Sequence, residues 1–216
     1  MKLFCTGWVL LLGACLSLVC GVARAEQVTA GYVTRLNGEV LLVTDAKWNT
    51  LLLGNGLFLG SRIITGANAR LEARMRDGSV LTLGERTEFV IEQVMGTKSE
   101  ARGSSFSLLK GAFRAITGKP ADNRSAPPWQ VRTPVAIIGV RGTELWGGLN
   151  LLGAGDDTLD VVMLEGRGVY VENSSGQTEL AQIGAGTTVS GTGVAPGKMV
   201  VWGDKKLSAA LQSVGW

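Results

Sequence analysis

Histidine is absent from the 216-residue chain, and its three cysteines, Cys5, Cys15 and Cys20, all lie near the N-terminus. Beyond them no side chain can supply a thiolate nucleophile, a Cys or His metal site, a disulfide or a Ser-His-Asp triad. The chemistry that remains belongs to carboxylates, arginines and tryptophans. Glu85, Glu88, Glu92, Glu144, Asp160 and Glu165 could supply a glycosidase-like pair, but no spacing singles out two of them. A solvated strand face accounts for them better, and no enzyme activity is expected. Gly153-Ala154-Gly155-Asp156-Asp157-Thr158-Leu159 matches much of a calcium-binding nonapeptide unit, with Leu152 where its first glycine belongs. Asp156, Asp157 and Asp160 are the candidate oxygen ligands for such an ion. These sites need stacked copies and one copy is present, so an acidic turn capped by its own side chains is the favoured reading.

Two glycine-rich segments fail a test of context. Gly54-Asn55-Gly56-Leu57-Phe58-Leu59-Gly60 carries its third glycine one residue late for a dinucleotide fingerprint. Gly191-Thr192-Gly193-Val194-Ala195-Pro196-Gly197-Lys198 is followed by Met199 where a P-loop needs Ser or Thr. Neither opens a helical pattern, so both read as turns and no cofactor is expected. Trp48, Trp129, Trp146, Trp202 and Trp216 lie beyond the cysteines. Exposed rings could stack on cell-wall sugars or anchor a protein partner, although most tryptophans of a β body belong to its core. Trp48 and Trp216, near a turn and a terminus, are the candidate partner-binding pair. The basic residues form no stripe suited to phosphates, so nucleic acid is not an expected partner.

The elements that must position these residues are strands. Arg70-Leu71-Glu72-Ala73-Arg74-Met75-Arg76 alternates strictly, with Leu71, Ala73 and Met75 on one face. A two-residue loop at Asp77-Gly78 would put Leu81 and Leu83 on the charged face, so a longer turn or a solenoid corner is predicted. Leu36-Asn37-Gly38, Leu109-Lys110-Gly111 and Leu164-Glu165-Gly166 form a weak internal repeat. The first and third are echoed by Gly54 and Gly184, at offsets of 16 and 18 residues. Strand-turn units with glycine at the corners suit a β-solenoid or a rolled β-sandwich. Thr117 to Pro128 holds three of the five prolines and reads as an exposed loop. Asp204 is a candidate N-cap for a short helix over 205–214, ended by Gly215, with Leu207, Ala210, Leu211 and Val214 on its packed face. The fold class is therefore all-β, β-solenoid (β-helix-like) or rolled β-sandwich, with a short C-terminal helix.

The first 25 residues read as a secretory signal. Lys2 is the only charge before Arg24, residues 3–20 are mostly apolar, and Ala23-Arg24-Ala25 is an A-x-A cleavage site. Removal would leave a periplasmic or otherwise exported chain from Glu26, not an integral membrane protein, and with Lys2 and Arg24 gone the net charge falls from +3 to +1. An uncleaved anchor and a lipidated Cys15 are the alternatives. The remainder divides into a β domain over 26–147, a continuation of the β body over 148–203 and the helix over 204–216.

Four segments in order carry a family resemblance. They are Leu36-Asn37-Gly38-Glu39-Val40; Leu53 to Gly66, with Gly60-Ser61-Arg62-Ile63-Ile64-Thr65; Arg76-Asp77-Gly78-Ser79-Val80-Leu81-Thr82-Leu83; and Thr133-Pro134 leading through an apolar run, Val135 to Val140, into Arg141-Gly142-Thr143. Together they resemble the FecR domain, the periplasmic sensor domain of bacterial iron-uptake regulators, over about residues 30–147. Thr133, Pro134, Arg141, Gly142 and Thr143 are its motif residues here, and each has a structural reading. Pro134 fixes its own φ and keeps Thr133 extended. Gly142 permits a turn, and Arg141 is expected to pair with a carboxylate or with turn carbonyls. In the regulators such a domain relays receptor occupancy to an anti-sigma segment. This chain has a secretory signal where they carry a cytoplasmic segment and a membrane helix. The resemblance implies an exported, non-enzymatic module for protein interaction or signal sensing, with another envelope protein as partner. A cell-wall or polysaccharide-binding module is the second reading.

Overall fold

The computed structural model describes residues 27–44, 47–97, 103–117, 129–152 and 157–216. The N-terminal segment read as a secretory signal, Asp156 and all of the proline-rich loop after Thr117 lie outside these residues. The strands are Thr29–Asn37 (β1), Val40–Thr44 (β2), Lys47–Thr50 (β3), Gly56–Phe58 (β4), Arg62–Thr65 (β5), Arg70–Met75 (β6), Val80–Leu83 (β7), Glu88–Gln93 (β8) and Ser104–Ile116 (β9). They continue as Trp129–Arg132 (β10), Ile137–Val140 (β11), Thr143–Leu149 (β12), Leu159–Gly166 (β13), Val169–Asn173 (β14), Gly176–Leu180 (β15), Ala185–Val189 (β16) and Val200–Val201 (β17), before one helix, Asp204–Val214 (α1).

These strands hydrogen-bond into one large sheet that rolls into two layers. Layer A runs β4-β1-β6-β7-β9-β12-β13-β16-β17. Layer B runs β3-β2-β5-β8-β9-β10-β11-β14-β15. β9 belongs to both. Its first half pairs with β8 and β10 in layer B, and its second half with β7 and β12 in layer A. Of the two sequence-based architectures, the structure is the rolled sandwich, and it does not close into a barrel.

Alternation explains the core. In β6, Leu71, Ala73 and Met75 are buried while Arg74 is exposed. The inner faces interdigitate around Phe89, Phe106 and Phe113, with ring centroids 5.6 Å apart for Phe89–Phe106 within layer B and 5.8 Å for Phe89–Phe113 across the layers. The Asp77-Gly78 turn has the longer form. Ala73 pairs with Leu81 and Leu71 with Leu83, so the hairpin closes on the three residues Arg76-Asp77-Gly78 and both leucines join the buried face.

The weak repeat is a structural one. Gly38, Gly111 and Gly166 all have positive φ, at 73°, 84° and 111°, and each marks a corner where the chain changes layer. β1-β2-β3-β4 passes through layers A, B, B and A, with Gly38 at the first crossing, and β4 returns to pair with β1. β13-β14-β15-β16 repeats that path with Gly166 at its first crossing, and β16 returns to pair with β13. The two units close opposite ends of the sandwich.

A second apolar cluster lies outside layer A. Trp146 and Val162 point away from the main core and pack with Ala112, Trp202 and, from α1, Ala210 and Val214. Trp146 Nε1 donates to Ser213 Oγ at 3.0 Å, fixing the helix. This second cover explains why β12 is buried on both faces. The helix begins one residue earlier than expected. Gly203 is the N-cap, without a side-chain bond, and Asp204 is its first residue, where its charge suits the helix dipole. Leu211 is exposed rather than packed. No helix among the described residues is long and apolar enough to cross a membrane.

Gly111 should be the costliest of the turn glycines to replace. A Cβ there would lie 2.3 Å from Thr87 Oγ1 and 2.6 Å from Thr87 Cα, whereas at Gly78, φ 82°, it would meet open space. Gly78→Ala isolates the backbone term, about 1–2 kcal/mol. Gly111→Ala is expected to lose clearly more in urea denaturation, and equal losses would mean that the corner yields without cost.

Candidate functional site

The motif residues singled out by sequence lie at the two ends of β11. Thr133 does not start a strand. It closes the β10–β11 turn, where Thr133 Oγ1 accepts from Ala136 N at 3.0 Å and donates to Ala136 O at 2.8 Å. Pro134 and Val135 lie within that turn, so the strand expected from Val135 begins at Ile137. Gly139 follows in β11 because the ring of Tyr170 lies where its Cβ would be.

Arg141-Gly142-Thr143 then carries the chain from layer B to layer A. Gly142 has φ 60°, the left-handed conformation its expected turn role requires. Arg141 is exposed; its backbone N–H donates to Gly168 O at 3.2 Å, and its guanidinium makes no ion pair among the described residues. Neither partner expected for it, a carboxylate or turn carbonyls, is found for the guanidinium among the described residues. Thr143 is the hub. Its hydroxyl accepts from Gly168 N at 3.2 Å and Arg167 N at 3.3 Å, and lies 3.1 Å from the carbonyls of Arg141 and Gly168. Its own N–H donates to Thr117 Oγ1 at 2.9 Å.

The same device stands at the other corner. Thr87 N donates to Thr65 Oγ1 at 2.8 Å, and Thr87 Oγ1 accepts from Ala112 N at 3.0 Å. In both sets a threonine hydroxyl receives the N–H of the residue just after a corner glycine, Ala112 after Gly111 and Arg167 after Gly166. Sequence reading missed Thr65, Thr87 and Thr117. The readable signal was a threonine 24 residues before Gly111 and another 23 before Gly166.

The remaining candidates are dispersed. Asp160 is 1% exposed and faces the helix, where its Oδ1 accepts from Lys206 Nζ and Thr188 Oγ1, each at 2.6 Å. Asp157 is exposed in a turn, and no group of three potential metal ligands forms among the described residues. Other carboxylates are likewise held by cations: Glu85 by Arg86, Glu88 by Arg62, Glu92 by Arg132 and Glu144 by Arg114. Trp129, Trp146 and Trp202 are buried, whereas Trp48 is 62% and Trp216 45% exposed. The exposed two do not form one site. Trp48 lies on edge strand β3, whereas Trp216 follows α1 and stacks under Arg35 at 4.1 Å.

Comparison with known proteins matches residues 61–167 to the family described as FecR protein. The match takes in both ends of β11, with Thr133 and Thr143, and also Gly166. Two crystal structures of a candidate anti-sigma factor from Parabacteroides distasonis ATCC 8503, at 2.50 and 1.65 Å resolution, share the fold with a TM-score of 0.55. Identity to them is 18%; the likeness covers 70% of this chain and spans 64% of theirs. No match is found among curated proteins.

On the outer face of layer B, Glu92 accepts hydrogen bonds from the hydroxyls of Ser105 and Ser107 and from Arg132. Partial burial pushes its pKa up, but the two serines and Arg132 outweigh it and hold the carboxyl below the usual glutamate range. A depressed folded-state pKa contributes stability above the unfolded value, and that stability is lost as pH falls through the folded value. Ser107→Ala should therefore raise the Glu92 pKa in a carboxyl NMR titration and move the acid-side loss of stability to higher pH. An unchanged titration would show that the serine contacts do not hold the charge.

Proposed function

The chain belongs to the FecR family, and on that premise we propose that it is an exported, non-enzymatic signal-sensing module of the bacterial envelope that works by binding another envelope protein. The observation that carries the reading is the family match, which includes the motif residues at both ends of β11. The use made of those motif residues supports binding over catalysis. The hydroxyls of Thr133 and Thr143 bond to backbone groups, so they hold the scaffold rather than face a substrate. A general acid or base must reach a substrate proton, and most of the candidate carboxylates already face a cation. The Ala23-Arg24-Ala25 site supports export with Glu26 as the first residue.

The surface that best suits a protein partner is the β3 end of the sandwich. All four residues of β3 are exposed, and Trp48 is followed by exposed Leu52 and Leu53. Aromatic and aliphatic side chains of this kind anchor protein interfaces. The candidate anti-sigma factor that shares the fold adds protein-contact regulation to the reading.

A photoreactive amino acid at position 48, in the chain expressed in its native envelope, tests this. A discrete protein adduct is expected, on a chain whose mass begins at Glu26. An unprocessed cytoplasmic chain contradicts the proposal. So does the lack of a protein adduct from position 48 and from the exposed positions 32 and 74.

A further inference from the structure

We infer that the cleft beside Trp216 is a binding site for a carboxylate-bearing sugar. The cleft has a volume of about 500 Å³ and is lined by Arg35, Asn37, Asn68, Arg70 and Trp216, together with backbone and apolar groups of Leu36 and Gly215. That volume is within the range of small-ligand sites. Strand pairing assembles it. Asn37 of β1 lies opposite Arg70 of β6, and Arg35 lies two residues before Asn37 on the same outer face of layer A. The end of α1 then lays Gly215 and Trp216 beside them.

The two arginines are held in a way the paired ones are not. Arg62, Arg86, Arg114 and Arg132 each face a glutamate. Arg35 is held over the Trp216 ring at 4.1 Å, and Arg70 donates to the carbonyls of Gly215 at 3.2 Å and Ala69 at 2.8 Å. Both guanidinium groups are thus positioned by neutral partners, and neither makes an ion pair with a carboxylate among the described residues. Two carboxylates near the cleft are engaged: Glu72 accepts from Thr34 Oγ1, and Glu85 from Asn68 N and Arg86. A guanidinium with its fork pre-set matches a planar carboxylate in two parallel hydrogen bonds.

The other lining groups favour a sugar over an acidic peptide. The amides of Asn37 and Asn68 offer both donors and acceptors, which suits hydroxyl groups. The partly exposed Trp216 ring offers an apolar surface on which a sugar ring can stack. The cleft is at the opposite end of β1 from the chain's entry and is distinct from Trp48. The inference is therefore independent of the protein-binding surface proposed above.

Titration calorimetry of the purified chain tests it, with trigalacturonate as the probe and galactotriose and triglutamate as comparisons. Trigalacturonate is expected to bind, more weakly as salt rises, and galactotriose and triglutamate at least tenfold more weakly. Arg35→Ala and Arg70→Ala should each weaken trigalacturonate about tenfold, the scale of one lost charge-assisted hydrogen bond. Arg132→Ala removes the same charge elsewhere and should leave binding unchanged. In the unaltered chain the Trp216 indole N–H resonance should shift on titration, a readout that needs no variant to fold. Triglutamate binding as tightly as trigalacturonate would make the site a peptide site and overturn the inference. No binding, equal binding of galactotriose, or a silent Trp216 resonance would overturn it as well.

Discussion

The constraint on which the structure depends is the corner. A chain that repeatedly changes layer must bury backbone groups at each crossing, where they leave one ladder before joining the next. An unpaired buried N–H or C=O costs about as much as the hydrogen bond it lacks. Here the gap is filled by threonine hydroxyls, each of which can both donate and accept. Thr65 serves Thr87, and Thr87 serves Ala112; Thr117 serves Thr143, and Thr143 serves Arg167 and Gly168. The hydroxyls reach their partners because the corner glycines carry no Cβ. At Gly111 and Gly166 a side chain would collide with the very threonine that bonds the next residue. Glycine and threonine are two halves of one joint, and the joint is made twice.

That duplication explains what could be read from sequence. Strands, the turn glycines and the C-terminal helix follow from local pattern, because alternation and positive φ leave a signal within a few residues. The Leu-x-Gly repeat was visible for the same reason. Its threonine partners were not, since they lie more than 20 residues away and are joined through hydrogen bonds between corners. The choice between solenoid and rolled sandwich was also nonlocal. It turns on β9, whose two halves read as one strand but pair in different layers.

The candidate sites divide in the same way. Gly142 and Thr143 were legible through the motif, and their roles belong to the corner. Asp160 was legible as an acid near a glycine turn, but its partner Lys206 comes from the helix 46 residues later and turns it into a clamp for α1. Trp48 and Trp216 were legible as exposed rings from their positions near a turn and a terminus. The arginines that give Trp216 its setting were not, because Arg35 and Arg70 meet only through the pairing of β1 with β6 and the return of the chain end. The motif builds the frame, and the surface chemistry is assembled by tertiary contact.

Native-state hydrogen exchange measures directly whether the threonine joints hold this frame. The N–H groups of Thr87, Ala112, Thr143 and Gly168 all donate to threonine hydroxyls. If the joints unite the layers, these four should exchange only through global unfolding, with the same free energy as the most protected amides of β9. Exchange of the four at the faster rates of the edge strands β3 and β15, while β9 stays protected, would show that the layers hold together without them and would contradict the account.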